Sequence, residues 1–290
     1  MHKNQVVLLG TKGGPAIRPG TRMPTSILVQ LDGQTILVDA GLGVSRGICD
    51  AGVALTDLDA IVITHLHSDH YLELGALFHT AWTAGLNRPI PVIGPQGLDR
   101  YWASFQQAME FDISLRLRDE GRPNFAPLAD IQVIEPGQMQ LGPLTMDVLR
   151  NAHPPIEDSF ALRLTGQDHC VVLSGDTAPI PEMVEFAKDA DLLVHEAMLS
   201  AGIDALCARV GNGDDRLRHH LERSHSPADQ VGRIATQAGV KRLALNHLVP
   251  CDDPDFTETD WRAETCREWS GPLFIGTDGL TISLDQKETL

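Results

Sequence analysis

The chain has 290 residues, of which 42% are hydrophobic and 21% are charged, and its formal net charge is −16. This composition is typical of a globular protein with a sizeable core, and its apolar runs are shorter than the roughly 20 residues that a membrane-spanning helix needs. Because an acidic surface repels polyphosphates, we expect nucleic acid to be an unlikely partner. From the short apolar runs we also expect no association with membranes.

The N-terminal segment, MHKNQVVLLG, does not have the form of a secretory signal. Its apolar stretch is shorter than the roughly 7–15 residues that such a signal requires. The five cysteines show no CxxC spacing, which is typical of free thiols in a reducing compartment. We therefore expect a cytoplasmic protein.

Short runs of aliphatic and β-branched residues predict the strands. These runs lie at 6–10, 26–31, 35–41, 60–65, 90–94, 131–135, 144–150, 159–164, 169–176, 192–197, 242–247 and 272–284. Helical periodicity predicts helices over 70–85, 96–110, 181–189, 199–221, 227–238 and 259–269. Hairpin-linked strands come first, and strands that alternate with helices follow. This order predicts a single α/β domain over residues 1–290, with mixed sheets covered by helices.

The helix at 227–238 has clear boundary signals in the segment SHSPADQVGRIATQAG. Ser226 is a suitable N-cap, Pro227 suits the first helical position, and Asp229 supplies the acidic partner of a capping box. Gly239 suits the C-terminal cap. We therefore expect His225 to lie directly before the N-terminus of this helix.

The segment AIVITHLHSDHYLELGALF, residues 60–78, places His65, His67, Asp69 and His70 directly after a predicted strand. Alternate residues of an extended segment point to the same side, so His65 and His67 can converge on one ion. The turn into the next helix directs Asp69 and His70 toward a second point. Imidazole and carboxylate groups are ligands for zinc, iron and nickel. The segment therefore predicts a metal site.

The motif THLHSDH resembles the signature of the metallo-β-lactamase-fold hydrolases, and NAHPP, LSGDT and LALNHL follow in that family's order. The resemblance extends from Asp39 in VDAG to LALNHL. It implies an αββα sandwich, in which helices flank two mixed sheets. It also implies two metal ions, with zinc expected and manganese, iron or nickel as alternatives. In this site His65, His67 and His153 would bind one ion, Asp69, His70 and His247 would bind the other, and Asp176 would bridge them.

Two further motifs resemble the ribonuclease Z and arylsulfatase-like branch of that family. VHEAM contains Glu196 and SHSPADQ contains His225, and the resemblance implies that this pair delivers a proton while Asp69 orients water. Residues 111–150 have no counterpart of the long basic arm with which ribonuclease Z binds transfer RNA. The branch also implies a homodimer, with contacts from the loop at 10–24 and from the helix that carries Phe78 and Trp82.

Residues 198–224 lie between these two motifs and predict a helical lid. Arg209, Arg216, Arg218 and Arg223 could clamp an anionic small molecule, because guanidinium groups bind phosphate, sulfate and carboxylate bidentately. The same segment also fits a solvated helix face.

Together, these features predict a dinuclear, zinc-dependent hydrolase of a small anionic ester, with a phosphodiester or a sulfate ester favoured. Hydrolysis of a lactone, an amide or a carboxylic ester on the same metal core is the alternative. A ribonuclease Z-type endonuclease and a noncatalytic scaffold rank below these functions.

Overall fold

Among the residues that the structure describes, two seven-stranded mixed sheets form the centre of the protein. A computed structural model describes residues 3–285. In chain order the strands are β1 (Gln5–Gly10), β2 (Ser26–Leu31), β3 (Gln34–Val38), β4 (Ala60–Val62), β5 (Ile90–Gly94), β6 (Ala129–Val133), β7 (Gly137–Leu141), β8 (Leu144–Arg150), β9 (Phe160–Thr165), β10 (Cys170–Leu173), β11 (Leu192–Met198), β12 (Leu243–Val249), β13 (Leu273–Ile275) and β14 (Leu280–Ser283).

The two sheets have matching topologies. The spatial order is β14–β1–β2–β3–β4–β5–β6 in the first sheet and β13–β12–β11–β10–β9–β8–β7 in the second. Strands β14 to β3 and β7 to β10 pair antiparallel, whereas β3 to β6 and β10 to β13 pair parallel. The turn between β2 and β3 contains Asp32 and Gly33, both with positive φ, as a two-residue hairpin turn requires.

The helices cover the outer faces of the sheets. They are α1 (Val44–Asp50), α2 (Ser68–Tyr71), α3 (Leu74–Thr83), α4 (Leu98–Ala108), α5 (Glu110–Asp119), α6 (Glu182–Phe186), α7 (Ile203–Val210), α8 (Arg216–Ser224), α9 (Ala228–Ala238) and α10 (Glu258–Thr265). Residues of α1, α3, α4 and α5 pack on the first sheet, and residues of α6, α9 and α10 pack on the second. The predicted αββα sandwich is confirmed.

Side-chain alternation along the strands explains the layers. In β1, Val6 and Leu8 lie in the core between the sheets, whereas Val7 and Leu9 contact the helical layer. Successive residues of a strand point to opposite faces, so a strand that is buried on both faces needs apolar residues at every position. Within residues 3–285, no helix is both long enough and apolar enough to cross a membrane.

Three of the predicted elements are divided in the structure. The helix expected over 70–85 forms α2 and α3, and the helix expected over 199–221 forms α7 and α8, which are separated by a segment containing Gly211 and Gly213. The strand expected over 272–284 forms β13 and β14, which belong to different sheets. Gly276 permits this crossing, because a Cβ there would lie 2.5 Å from the Leu245 carbonyl oxygen.

The aromatic residues expected at a dimer contact belong to the core instead. Trp82 is fully buried and Phe78 is 1% exposed. Their rings lie 5.2 Å from those of Phe125 and Trp102, respectively. These side chains therefore stabilise the helical layer of one chain and are not available to a partner.

Candidate metal centre

The seven predicted metal ligands come together where strands end. His65 and His67 follow β4, and Asp69 and His70 lie in α2. The other three are contributed by the second sheet: His153 follows β8, Asp176 follows β10 and His247 lies within β12. Except for His67, all of them are buried.

Three ring nitrogens converge in the first group of ligands. His67 Nδ1 lies 3.1 Å from His65 Nε2 and 3.0 Å from His153 Nε2. Burial lowers the pKa of His65 well below its usual value and lowers the pKa of His153 to about 4. These rings are therefore neutral at neutral pH, which is the protonation state in which imidazole binds a metal.

The second group consists of Asp69, His70 and His247. The Asp69 Oδ2 atom lies 3.3 Å from His247 Nε2 and 3.7 Å from His70 Nε2. The same oxygen accepts a 2.8 Å hydrogen bond from the backbone N–H of Gly14. The N-terminal glycine-rich loop is thus attached directly to the site.

Asp176 lies between the two groups. Its Oδ2 atom is 3.7 Å from His65 Nε2 and 3.8 Å from His153 Nε2 on one side. On the other side it is 3.3 Å from His70 Nε2 and 3.0 Å from His247 Nε2. Burial alone would raise the pKa of Asp176, but the neighbouring His247 and His70 hold it well below its usual range.

Hydrogen bonds at the outer ring nitrogens orient two of the imidazoles. The His153 Nδ1–H donates to the carbonyl oxygen of Ser224 at 2.9 Å, and the His70 Nδ1–H donates to Asp39 Oδ2 at 2.7 Å. Each ring then directs the lone pair of Nε2 inward, which is the usual arrangement at metal sites. Motif spacing did not predict this role of Asp39, although its position directly after a strand was a usable signal.

The donor set fits divalent metal ions. Asp39, Asp69 and Asp176 are at most 5% exposed and surround His70. Buried carboxylates need a compensating cation, and nitrogen and oxygen donors of this kind suit zinc and its neighbours in the first transition row.

A β-bulge places His247. The pairing of β11 with β12 shifts after Glu196, so that Asn246 and Leu248 pair with consecutive residues of β11 and His247 has no partner. His247 also has a φ of 43°, which is uncommon for a residue with a side chain. The bulge turns this imidazole out of the regular alternation and into the site.

Glu196 and His225 form a buried pair beside the metal ligands. The His225 Nδ1 atom lies 3.2 Å from Glu196 Oε1, which also accepts hydrogen bonds from the backbone N–H groups of Thr177 and Ser226. Burial opposes the charged imidazole, but the Glu196 carboxylate outweighs burial and raises the pKa of His225 to about 9.

The helix after His225 begins differently from the prediction. Pro227 is the N-cap of α9, and no side chain caps this helix. Ser226 instead donates its hydroxyl to the Thr177 carbonyl oxygen, because the buried loop that carries Asp176 needs this donor. The expected glycine cap is present: Gly239 ends the helix with a φ of 66°.

A cleft of about 360 Å³ opens onto the site. One wall is the loop that contains Lys12 and Arg18, and the opposite wall is formed by α7 and α8, with Leu206, Leu217 and His220 among its residues. Lys12 is 6% exposed and has no carboxylate within 4.0 Å among residues 3–285.

The arginines of residues 198–224 do not line this cleft. Arg209 pairs with Asp252 and Asp253, Arg218 pairs with Asp204 and Glu222, and Arg216 pairs with Asp214. Of the two alternatives for this segment, the structure favours the solvated helix face over the arginine clamp, because carboxylates bind Arg209, Arg216 and Arg218 away from the cleft and Arg223 is exposed. That the segment acts as a lid stays a prediction.

The family described as Anti-Pycsar protein Apyc1 matches residues 5–244 of the chain. The chain belongs to this family. It is also similar to the Ribonuclease Z of Mycolicibacterium gilvum (strain PYR-GCK), with 32% identity over 278 residues, which cover 94% of this chain and 94% of that protein.

Solved structures share the fold over nearly the whole chain. YhfI from Bacillus subtilis, a metallo-β-lactamase fold protein, matches with a TM-score of 0.71 and 23% identity, covering 96% of this chain and 99% of that one. Human tRNase Z, short form (ELAC1), matches with a TM-score of 0.69 and 20% identity, covering 97% of this chain and 100% of that one. The resemblance to ribonuclease Z-like metallo-β-lactamase-fold proteins is confirmed, and the protein is a metal-dependent hydrolase.

These relatives correct one expectation from the sequence. We expected nucleic acid to be an unlikely partner, but relatives that match along 94% of the chain are named Ribonuclease Z. The expectation was wrong because net charge sums the whole surface, whereas binding depends on the local field in the cleft.

Proposed function

We propose that the protein is a dinuclear, zinc-dependent phosphodiesterase. The observation that carries the proposal is the position of Asp176 Oδ2, which lies 3.0–3.8 Å from inward-facing nitrogens of both ligand groups. A carboxylate in this position could bridge two cations. In two-metal sites the ions usually lie roughly 3.5–4 Å apart, and a negatively charged ligand between them offsets their repulsion. His65, His67 and His153 would hold one ion, and Asp69, His70 and His247 the other.

The substrate class follows from the cleft and from the relatives. Lys12 and Arg18 lie on the cleft wall. Arg18 already pairs with Asp252 at 3.0 Å, whereas Lys12 is buried without a carboxylate partner among residues 3–285 and so favours an anionic ligand. The relatives named Ribonuclease Z act on RNA, whose nucleotides are joined by phosphodiester bonds. A phosphodiester is therefore preferred to a sulfate ester or a carbon-centred ester, and RNA is among the substrates to be tested.

The protein side chains have separate tasks in this reaction. When bound, divalent ions supply Lewis acidity toward the phosphoryl oxygens and water. Asp69, held by the Gly14 N–H, accepts a hydrogen bond from the attacking water and orients it. As the water oxygen bonds to phosphorus, one of its protons passes through Asp69 to solvent. The bond between phosphorus and the ester oxygen breaks at the same time, and His225 donates its proton to that oxygen. Glu196 binds His225 Nδ1, which leaves Nε2 as the donor.

A screen of purified protein tests this function. We expect about two equivalents of zinc per chain by inductively coupled plasma mass spectrometry. We also expect hydrolysis of bis-(p-nitrophenyl) phosphate or of an RNA oligonucleotide that a chelator abolishes and zinc restores. Aryl sulfates, lactones and carboxylic esters are the comparison substrates. Turnover of only these comparison substrates by the zinc-loaded protein would show that the phosphodiesterase assignment is wrong.

A further inference from the structure

His220 lies over the metal centre but has no task in the reaction described above. Its ring centroid is 6.0 Å from that of His67, 6.1 Å from that of His153 and 6.0 Å from that of His225. The side chain is half-buried and lines the cleft. It therefore faces two proposed ligands and the proposed acid across the space that a substrate would occupy.

The packing of α8 holds His220 in this place. Leu217 and Leu221 pack with Met198, Ile203 and Val249 in a small apolar cluster. At the end of α8, the Ser224 carbonyl oxygen accepts the His153 Nδ1–H, and the Ser224 hydroxyl donates to the Pro154 carbonyl oxygen at 2.6 Å.

These anchors also explain which way His220 points. Positions 217, 220, 221 and 224 lie on one side of a helix, because residues three and four apart are neighbours. His219, the next residue in sequence, is exposed on another side of α8. The two adjacent histidines of this helix therefore have different surroundings.

The ring of His220 has free hydrogen-bonding capacity. Within residues 3–285 neither of its nitrogens has a hydrogen-bond partner. A neutral imidazole always carries one N–H donor. The rings of His220 and His225 are nearly perpendicular at a centroid separation of 6.0 Å, and both residues line the cleft.

We propose that His220 is a substrate-contacting residue that donates a hydrogen bond to a nonbridging phosphoryl oxygen. The proposal rests on the phosphodiesterase function proposed above. The imidazole acts as a fixed donor in this role and need not change its protonation state.

Three variants test the proposal: His220→Ala removes the donor, His220→Gln retains an N–H donor, and His219→Ala is the matched control on the solvent side. Inorganic phosphate is titrated calorimetrically into the zinc-loaded proteins, and KM and kcat are measured with bis-(p-nitrophenyl) phosphate. We expect His220→Ala to retain zinc and to bind phosphate about 10- to 100-fold more weakly. His220→Gln should recover part of this affinity, and His219→Ala should match the wild type.

The outcomes separate the two proposals. If the zinc-loaded wild type neither binds phosphate nor hydrolyses the diester, the phosphodiesterase function fails. If the wild type does both and His220→Ala binds phosphate with unchanged affinity, the role of His220 is refuted. Loss of zinc from His220→Ala would also refute it, because the residue would then support the metal ligands rather than the substrate. Equal weakening in His220→Gln and His220→Ala would exclude the hydrogen bond.

Discussion

Proton delivery by His225 is the most specific consequence of the site geometry. His225 is 5% exposed and borders the cleft, while Glu196 binds its Nδ1 atom at 3.2 Å. Replacing His225 by alanine removes the donor but none of the seven proposed ligands. We therefore expect the variant to retain both metal ions and to lose only the protonation of the leaving group.

The magnitude of the effect depends on the leaving group. General acid catalysis typically contributes about 10²–10⁴-fold, so His225→Ala should slow a diester with a poor alkoxide leaving group by that factor. A p-nitrophenyl ester needs little protonation and should be nearly unaffected. In Glu196→Gln the hydrogen bond to His225 persists without the charge. We therefore expect the same pattern in Glu196→Gln, with a smaller loss for the poor leaving group than in His225→Ala, because the neutral amide still orients the imidazole.

The assay compares both substrates under saturating zinc, with metal content measured on the same samples. Wild-type rates with each substrate provide the internal reference, so a general loss of folded protein affects both substrates equally. An equal loss of rate for both substrates, in a variant that retains its zinc, would show that His225 positions the substrate and does not deliver protons. Loss of zinc would show that His225 is a metal ligand.

Three further perturbations test the site, the wall of the cleft and the fold. Asp176→Ala should lose both metal ions, because its carboxylate is the only proposed bridge, and unchanged affinity for two ions would contradict the assignment. Leu221→Ala should lower the free energy of unfolding in urea by about 2–5 kcal/mol, as Leu221 is buried between α8 and the second sheet; a loss below about 1 kcal/mol would contradict this packing. Burial opposes ionisation of Asp191, but Lys241 and the Cys170 N–H lower its pKa. The stability from this carboxylate is therefore present above the unfolded pKa of about 3.9 and is lost as pH falls through the lower native pKa. Asp191→Asn should have a lower free energy of unfolding than the wild type at pH 7, and this difference should shrink below about pH 4. A difference in free energy that does not change with pH would refute the ion pair.

The sequence alone determined the layers and the types of ligand. The continuous apolar run in β1 is a local property, since the backbone geometry of a strand decides which residues share a face and both faces of this strand are apolar. The spacing of His65, His67, Asp69 and His70 is also local, and it predicts a metal site wherever the strand ends. Some boundaries were not predicted: one helix was expected over 199–221, but the chain leaves the helical conformation between α7 and α8, where Gly213 has a φ of 87°.

The tertiary structure alone decided what surrounds those ligands. Asp39 reaches His70 across 31 positions of sequence, and the bulge at His247 exists only because β11 and β12 pair out of register there. Likewise, Arg209 lies outside the cleft because it pairs with Asp252 and Asp253. His220 faces the cleft because the neighbouring Leu221 is packed in an apolar cluster. Periodicity and spacing describe neighbours along the chain. A catalytic group depends instead on distant segments, whose charges and packing determine its protonation state, orientation and access. These segments reach their positions only when the two sheets and their helices pack together.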